Sequence, residues 1–453
     1  MPATLRFVRL NIAIQELAKT HLPVGSLRAR MAKGTFWTLI GSVTAQGAGL
    51  LGSIFCARIL GKVGFGELGM IRSTVLMFGV LAGTGLGMAT TKYVAEFRVK
   101  DPHKAGRMIG LFMNTAIILG GSVTLVCLII AAPLAKWAMN APHLAGALQV
   151  GCLLLLLNPL NGVQLGAVCG FEAFRAQSRV IVLDGIFNLA LIPAGAFVYG
   201  VAGAVGGSVM AALLGFIVKK WTMHKECKRA SIKVLHRNVS AELPALWKFV
   251  LPSIIVGVVV LPFDWLARII LVNGPNGYVE MGLFTAAFTW SQLILFLPGQ
   301  IAAPTQPIIA NLVGLNKIVQ IRNIVFKGTF FIGAVAVGIG GLVVIFSRVI
   351  MLSYGEGYEL AAITLCILTF SSIFCACSQT LKNFLYASNR VWQVVLAQLV
   401  LGIMLPIMAW QLKSYGANGL AIAYALGWFA LLFFEVVFSA YRYRQIARNT
   451  GQI

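Results

Sequence analysis

Acidic residues are scarce in this chain: 13 Asp and Glu stand against 36 Lys and Arg in 453 residues, and charged residues reach only 11%. Soluble domains are about a quarter charged, so a soluble globular class is excluded at the outset. Several chemical signatures are missing as well. No G-x-x-x-x-G-K-[ST] occurs, which removes an ATPase of the chain's own. No D-x-D occurs either, and every segment expected outside is short, which argues against a membrane-embedded polymerase, ligase or glycosyltransferase. The five histidines are scattered with no Cys/His cluster at ligand spacing, so no metal site and no cofactor are expected. Seven of the eight cysteines (Cys56, Cys127, Cys152, Cys169, Cys366, Cys375, Cys377) fall in or at the ends of apolar runs and Cys227 in a basic segment, so no disulfide framework is implied. Residues 1–33 carry Arg6, Arg9, Glu16 and Lys19 and lack the long apolar core of a cleavable signal peptide. They read either as an interfacial helix along Leu5, Phe7, Val8, Leu10, Ile14 and Leu17 or as a mobile basic tail.

What the chain has is apolar surface: 59% hydrophobic residues and a mean hydropathy of +0.87. A window of about twenty residues predicts an all-α integral membrane protein with twelve transmembrane helices, at 34–57, 67–91, 108–132, 146–170, 179–198, 201–221, 248–272, 281–306, 326–347, 359–385, 391–412 and 417–440. These runs are too long and too uniformly apolar for tilted barrel strands.

The cations decide orientation. With the N-terminus in the cytoplasm, the inside segments hold 29 Lys and Arg and the outside segments hold 6 (Arg58, Lys62, Lys136, Arg268, Arg348, Lys413), leaving Arg72 within a span. That asymmetry predicts both termini in the cytoplasm. The net charge of +23 is then accounted for by topology and anionic lipid, with no nucleic-acid partner.

The long hydrophilic interval 219–248 separates six spans from six. The expected organisation is a basic N-terminal segment (1–33), an N-lobe (34–222), a basic cytoplasmic linker (223–247), a C-lobe (248–441) and a cytoplasmic tail (442–453). The halves echo one another: "YGVAGA" (199–204) and "YGANGL" (415–420) lie at an offset of 216, Pro193 and Pro406 at 213, and Arg58 and Arg268 at 210. Repeated six-helix lobes are a transporter architecture, with the substrate path between them.

The stretch "GTGLGMATTKYVAEF" (83–97) looks at first like a dinucleotide loop, but Met88 occupies the third glycine position and the run closes an apolar span. Small residues there let a neighbouring helix approach. The same stretch, with "ARILGKVGFGELGM" (57–70), "GFEAFRAQSR" (170–179), "VEMGLFTAAF" (279–288) and "LPGQIAAPTQPIIANL" (297–312), resembles Wzx-type polysaccharide repeat-unit flippases. These belong to the multidrug/oligosaccharidyl-lipid/polysaccharide exporter superfamily. The resemblance implies a V-shaped pair of lobes in the bacterial inner membrane that alternates access. It also implies undecaprenyl-diphosphate-linked oligosaccharide and membrane lipids as partners, with a polysaccharide polymerase and a chain-length regulator as further candidates, for O-antigen or exopolysaccharide biosynthesis.

A diphosphate crossing hydrocarbon calls for a cationic cavity. An Arg at a span centre costs about 2.5–3.5 kcal/mol, and an Arg–phosphate contact near ~4 Å returns about 4 kcal/mol at an effective dielectric of about 20. Arg72 is the first candidate, with snorkelling to the outside interface as its alternative. Arg58, through the resemblance at A-R-x-x-G, would line the inter-lobe cavity, or else anchor the interface. Arg268, four residues after Asp264 on one helical face, is either its counterpart or half of an internal ion pair. Lys62 is a further candidate. Candidates for ion or proton coupling are Asp264, Asp184 and Glu435, and Pro298, Pro304 and Pro307 mark span eight as a gating or statically kinked helix. The competing reading is a cation-coupled multidrug exporter of the same superfamily. It would call for a membrane carboxylate in the first half, where span one has none and Asp184 is the candidate. A lipid II flippase would usually carry two more helices.

Overall fold

The computed structural model describes residues 27–83, 85–235, 242–244, 246, 257–315 and 317–449. The candidate interfacial helix near the N-terminus, much of the linker after residue 235 and the start of span seven lie outside the described residues. Among the described residues the protein is all-α. Helices α1 (Leu27–Gly79), α2 (Leu86–Lys100), α3 (Pro102–Pro133), α4 (Ala145–Gly170) and α5 (Phe174–Arg229) build the first half. Helices α6 (Leu261–Val272), α7 (Gly277–Ala302), α8 (Thr305–Gly314), α9 (Ile318–Ile345), α10 (Ser347–Leu352), α11 (Ala361–Ala387), α12 (Val391–Gln411) and α13 (Gly416–Asn449) build the second. Nine helical segments among the described residues are long and apolar enough to cross a membrane.

Two of those segments are bent back on themselves. In α1 the bend is at Gly61, whose φ of 66° and ψ of −175° fall where a side chain would be strained. In α5 it is at Tyr199–Gly200. The second bend has a twin: Gly200 (φ 58°, ψ −138°) and Gly416 (φ 56°, ψ −132°), the glycines of the two "YG" echoes, share one conformation. At the other end of the molecule, α3 starts on an Asp101 cap, whose side chain accepts from the Lys104 amide at 2.9 Å with Pro102 in the first turn.

Both helix lengths revise positions read from hydropathy. The second limb of α1 begins just after Gly61 rather than at 67, which puts Arg72 about 16 Å along the helix from the bend at 1.5 Å per residue. In the same way α5 continues to Arg229, eight residues past the expected end of span six at 221 and into the segment expected to be linker.

The two halves meet at the Gly61 end. The second limb of α1 crosses α7 backbone to backbone: a Cβ at Gly66 would fall 2.1 Å from the Tyr278 carbonyl oxygen, and one at Gly282 would fall 2.0 Å from that of Lys62. Only glycine permits this approach. Phe65, Tyr354 and Tyr358, all buried, pack beside the crossing with tilted and edge-on rings whose centroids are 5.7–6.5 Å apart. The inter-lobe hydrogen bonds among the described residues gather here. Arg58 Nε donates to Ser353 O (2.7 Å), Tyr358 Oη to Gly61 O (3.3 Å), Tyr278 Oη to Met139 O (2.8 Å) and Asn273 Nδ2 to Ala138 O (2.8 Å). Ser53 and Tyr354 share a hydrogen bond of 3.3 Å, and Trp265 Nε1 donates to Thr74 Oγ1 at 2.9 Å. The deepest of these, at Thr74, is about 20 Å along α1 from Gly61.

Span eight breaks between Ala302 and Thr305, where Pro304 sits. Pro298 lies inside α7 without interrupting it. Pro307 falls in the first turn of α8, where a missing N–H costs little. Asn383 Nδ2 bridges the break, donating to Ala302 O (3.0 Å) and Thr305 Oγ1 (2.9 Å).

Candidate functional site

Inside the first half lies a cavity of about 460 Å³, bounded by both limbs of α1, by α4 and by both limbs of α5. Its polar lining is Arg72, Asp184 and Lys219 with Asn158, Asn161, Asn188 and the hydroxyls of Ser53 and Ser208. The ion pair is settled within the wall: Lys219 Nζ lies 2.5 Å from Asp184 Oδ2, with the lysine side chain 6% exposed and the aspartate 27%. Lys219 can sit this deep because a counter-charge is in contact and the partly exposed carboxylate faces the cavity. Asn188 Nδ2 is tied to Asp184 O at 2.7 Å, and Asn161 Nδ2 to Ala212 O at 3.0 Å. The Asn161 Oδ1 is buried with no hydrogen-bond partner among the described residues.

Arg72 differs from its neighbours. It makes no hydrogen bond or ion pair with a described residue, and its side chain is exposed in the cavity it lines. With Asp184 and Lys219 cancelling each other, the chamber carries one uncompensated positive charge amid amide and hydroxyl groups. Such a lining favours an anion attached to a hydrogen-bonding body.

The second half has a separate cavity of about 230 Å³, containing Asp264, Arg268, Ser291, Gln292 and Tyr424. Here the cation is spoken for. Arg268 Nε donates to Asp264 Oδ2 at 2.9 Å and Nη2 to Tyr424 Oη at 3.1 Å, while Tyr424 in turn donates to Asp264. The guanidinium also lies over the rings of Phe288 (4.7 Å) and Phe284 (5.4 Å). Residues Asp264 and Arg268 therefore form a buried ion pair, fixed by a shared tyrosine and two aromatic faces. One helix borders both cavities, Arg72 lining the first and Leu76, one turn on, the second.

Arg58 and Lys62 sit at neither cavity but at the seam. Arg58 is held by Ser353 O, and the Lys62 ammonium lies against Gly357. Burial pushes the Tyr354 phenol of this seam up to about 12, so it remains a neutral hydroxyl beside Ser53. Glu435 is buried deep in the second half, away from both cavity linings. Hydropathy missed Lys219, which lies at the end of span six where the hydrophilic interval 219–248 opens; the repeat offset of 216 that pairs it with Glu435 is its one signal.

The Asp184–Lys219 contact carries a stability prediction. Asp184→Asn leaves a buried ammonium unpaired, and breaking such a pair costs about 3 kcal/mol or more. The melting temperature of the detergent-solubilised protein should drop, and the double variant Asp184→Asn/Lys219→Met should recover most of it. Equal melting of the single variant and the parent would mean that the pair contributes nothing.

Comparison with known proteins agrees with this architecture. A lipid III flippase of Escherichia coli (strain K12) is 29% identical over 185 residues, a match covering 36% of this chain and 44% of that protein, less than half the relative's length. The EPS I polysaccharide export inner membrane protein EpsE of Ralstonia nicotianae is 20% identical over 434 residues, 93% of this chain and 96% of that one. Among solved structures, the inward-facing conformation of a multidrug resistance MATE family transporter of the MOP superfamily superposes with a TM-score of 0.77. It covers 91% of this chain and 99% of that chain at 15% identity, a likeness of fold alone. The sequence profile of the polysaccharide biosynthesis proteins matches residues 31–313, well over half of the chain, and the chain belongs to that family.

Proposed function

We propose that this protein is a flippase that carries a lipid-linked oligosaccharide diphosphate across the bacterial inner membrane by alternating access, for surface or exopolysaccharide assembly. The observation that carries the reading is Arg72: a guanidinium with no hydrogen bond or ion pair to a described residue, exposed in a polar chamber. Family membership and the likeness to proteins named as a lipid III flippase and a polysaccharide export protein support it. Counting each bent segment as two spans, and α6 with the residues before it as one, the nine become twelve, six to a lobe. The charge asymmetry of the sequence supports cytoplasmic termini. On that orientation the Gly61 seam is the periplasmic gate, closed here, and the chamber faces the cytoplasm. The diphosphate rests on Arg72, the first sugars on the asparagines, and the polyprenyl tail stays in lipid. No covalent step is involved, so the protein acts as a transporter rather than an enzyme.

The multidrug-exporter alternative draws no support from Asp184, which is neutralised by Lys219 rather than free for a coupling ion. A deletion strain tests the proposal. Mass spectrometry should find an accumulated diphosphate-linked oligosaccharide confined to the cytoplasmic leaflet, and its absence, or its arrival at the outer leaflet, would remove the reading.

A further inference from the structure

Glu435 is 0% exposed, and neither carboxyl oxygen has a hydrogen-bond partner among the described residues. An ionised carboxylate in that position would be desolvated without compensation, whereas a protonated one would be tolerated. Its surroundings contain one cation that could supply the compensation. On α11, Ser378, Lys382 and Tyr386 recur every four residues, and Lys382 and Ser378 act electrostatically on Glu435 without reaching hydrogen-bond geometry. Tyr386 and Cys375, on the same helix, feel its charge in turn. The other neighbours are otherwise engaged or uncharged. Helix α12 has no charged residue over 391–411. Arg442, two turns along α13, donates to Gln445 at 2.8 Å and lies near Arg390. The basic residues of α9, Arg322 and Lys327, are exposed. Lys382 itself is half-buried and has no hydrogen bond or ion pair with a described residue.

The internal repeat sharpens the comparison. Glu435 stands at the offset of 216 from Lys219, whose charge is satisfied by Asp184. At the matching place in the second half an acid and an amine are again neighbours, but the ion pair is not made. Glu435 also continues a face of α13 that runs from Tyr424 through Trp428. Opposite it, α11 presents Ser371, Cys375, Ser378 and Lys382 in register. The upper members of both rows line the cavity of Asp264 and Arg268. A file of hydroxyl and thiol groups thus leads from that cavity toward the carboxyl.

We propose that Glu435 is a proton-binding site of the second lobe, and that Lys382 sets its occupancy. While the ammonium stands apart from the carboxyl, Glu435 holds a proton. When the ammonium swings to the carboxyl, the Glu435 O–H bond breaks, and the proton is released to water as the ion pair forms. The idea goes beyond the flippase reading and does not depend on it.

Infrared difference spectroscopy of the purified full-length protein over a pH series tests the site with no substrate present. The carboxylic-acid C=O band expected in the parent should vanish on alkalinisation and be missing in Glu435→Gln. In Lys382→Gln its loss should move to higher pH by about one unit or more, because the cation that favours the carboxylate is gone. A parent band unchanged in Glu435→Gln, or no band from Glu435 at any pH, overturns the proposal. Since the Gln side chain is a near-isostere of the neutral acid, this variant should elute as the parent does in size exclusion.

Discussion

Arg72→Ala should insert and fold as the parent does and yet export almost no polysaccharide. The guanidinium makes no hydrogen bond or ion pair with a described residue, so its removal orphans no known partner in the protein and stability should hold. The loss falls on the ligand. A hydrogen bond to a charged group contributes about 1.5–3 kcal/mol, so a bound diphosphate deprived of it should weaken by roughly tenfold to more than a hundredfold. In a chamber whose other charges cancel, no second cation takes over. Arg72→Lys separates charge from geometry: the ammonium keeps the charge but not the forked donor. If charge dominates, export by the Lys variant should exceed that of Ala clearly; equal loss would identify bidentate contact as the requirement. Export is read as surface polysaccharide in a complemented deletion strain, with membrane abundance measured alongside. Parental export by Arg72→Ala would end the role assigned to this residue.

Gly282→Leu should have a comparably large effect from the opposite direction, by holding the Gly61 seam open. Even a single Cβ at this position would stand 2.0 Å from the Lys62 carbonyl oxygen, and that neighbour is backbone, which cannot rotate aside. The larger side chain must force α7 off α1 and with it part the seam bonds from Tyr278 and Arg58. Cysteines placed at Ser53 and Tyr354, whose side chains meet across the seam at 3.3 Å, in a cysteine-depleted background should cross-link readily through a short bifunctional thiol reagent in the parent and poorly in the variant. Export should fall to near background because the cycle loses one of its two states. Gly66→Ala, with its Cβ 2.1 Å from the Tyr278 carbonyl oxygen, should act in the same direction. Undiminished cross-linking in Gly282→Leu would mean that the helices can slide past one another at little cost.

Much of the fold was legible in the sequence because hydrocarbon is an undemanding code: a span has to be long, apolar and helical, and each condition is local. The repeat was legible too, and Gly200 and Gly416 give it a physical basis, since one left-handed turn at the same place in each half demands the same residue. Hydropathy was less able to find where helices end. It started the second limb of α1 several residues late, because "GKVGFGE" is not apolar enough to register, yet the chain is helical from just after Gly61. It closed the sixth span at 221, although the helix runs on to Arg229, because the lysines and polar residues of 219–229 read as the start of a loop.

The candidate residues divide along the same line. Sequence spacing put Asp264 and Arg268 on one helical face, and they do bond to each other, but nothing in that spacing revealed Tyr424, more than 150 positions away, or the two phenylalanine rings that complete the site. Arg58 and Lys62 read like Arg72 as cations near a membrane boundary. The packing of α10 and its following loop against Gly61 assigns them to the seam instead.

By itself, then, the sequence determined that this is an all-helical membrane protein and which segments are rich in cations, because each depends on composition within one helix length. Only the tertiary structure decided which charges are spent and which are free. Arg268 and Lys219 are neutralised by acids held within their own lobes, while Arg72 is left facing an open chamber. The reason is that the energy of a charge in a low-dielectric interior depends on groups a few ångströms away, and those come from helices whose adjacency no local pattern encodes.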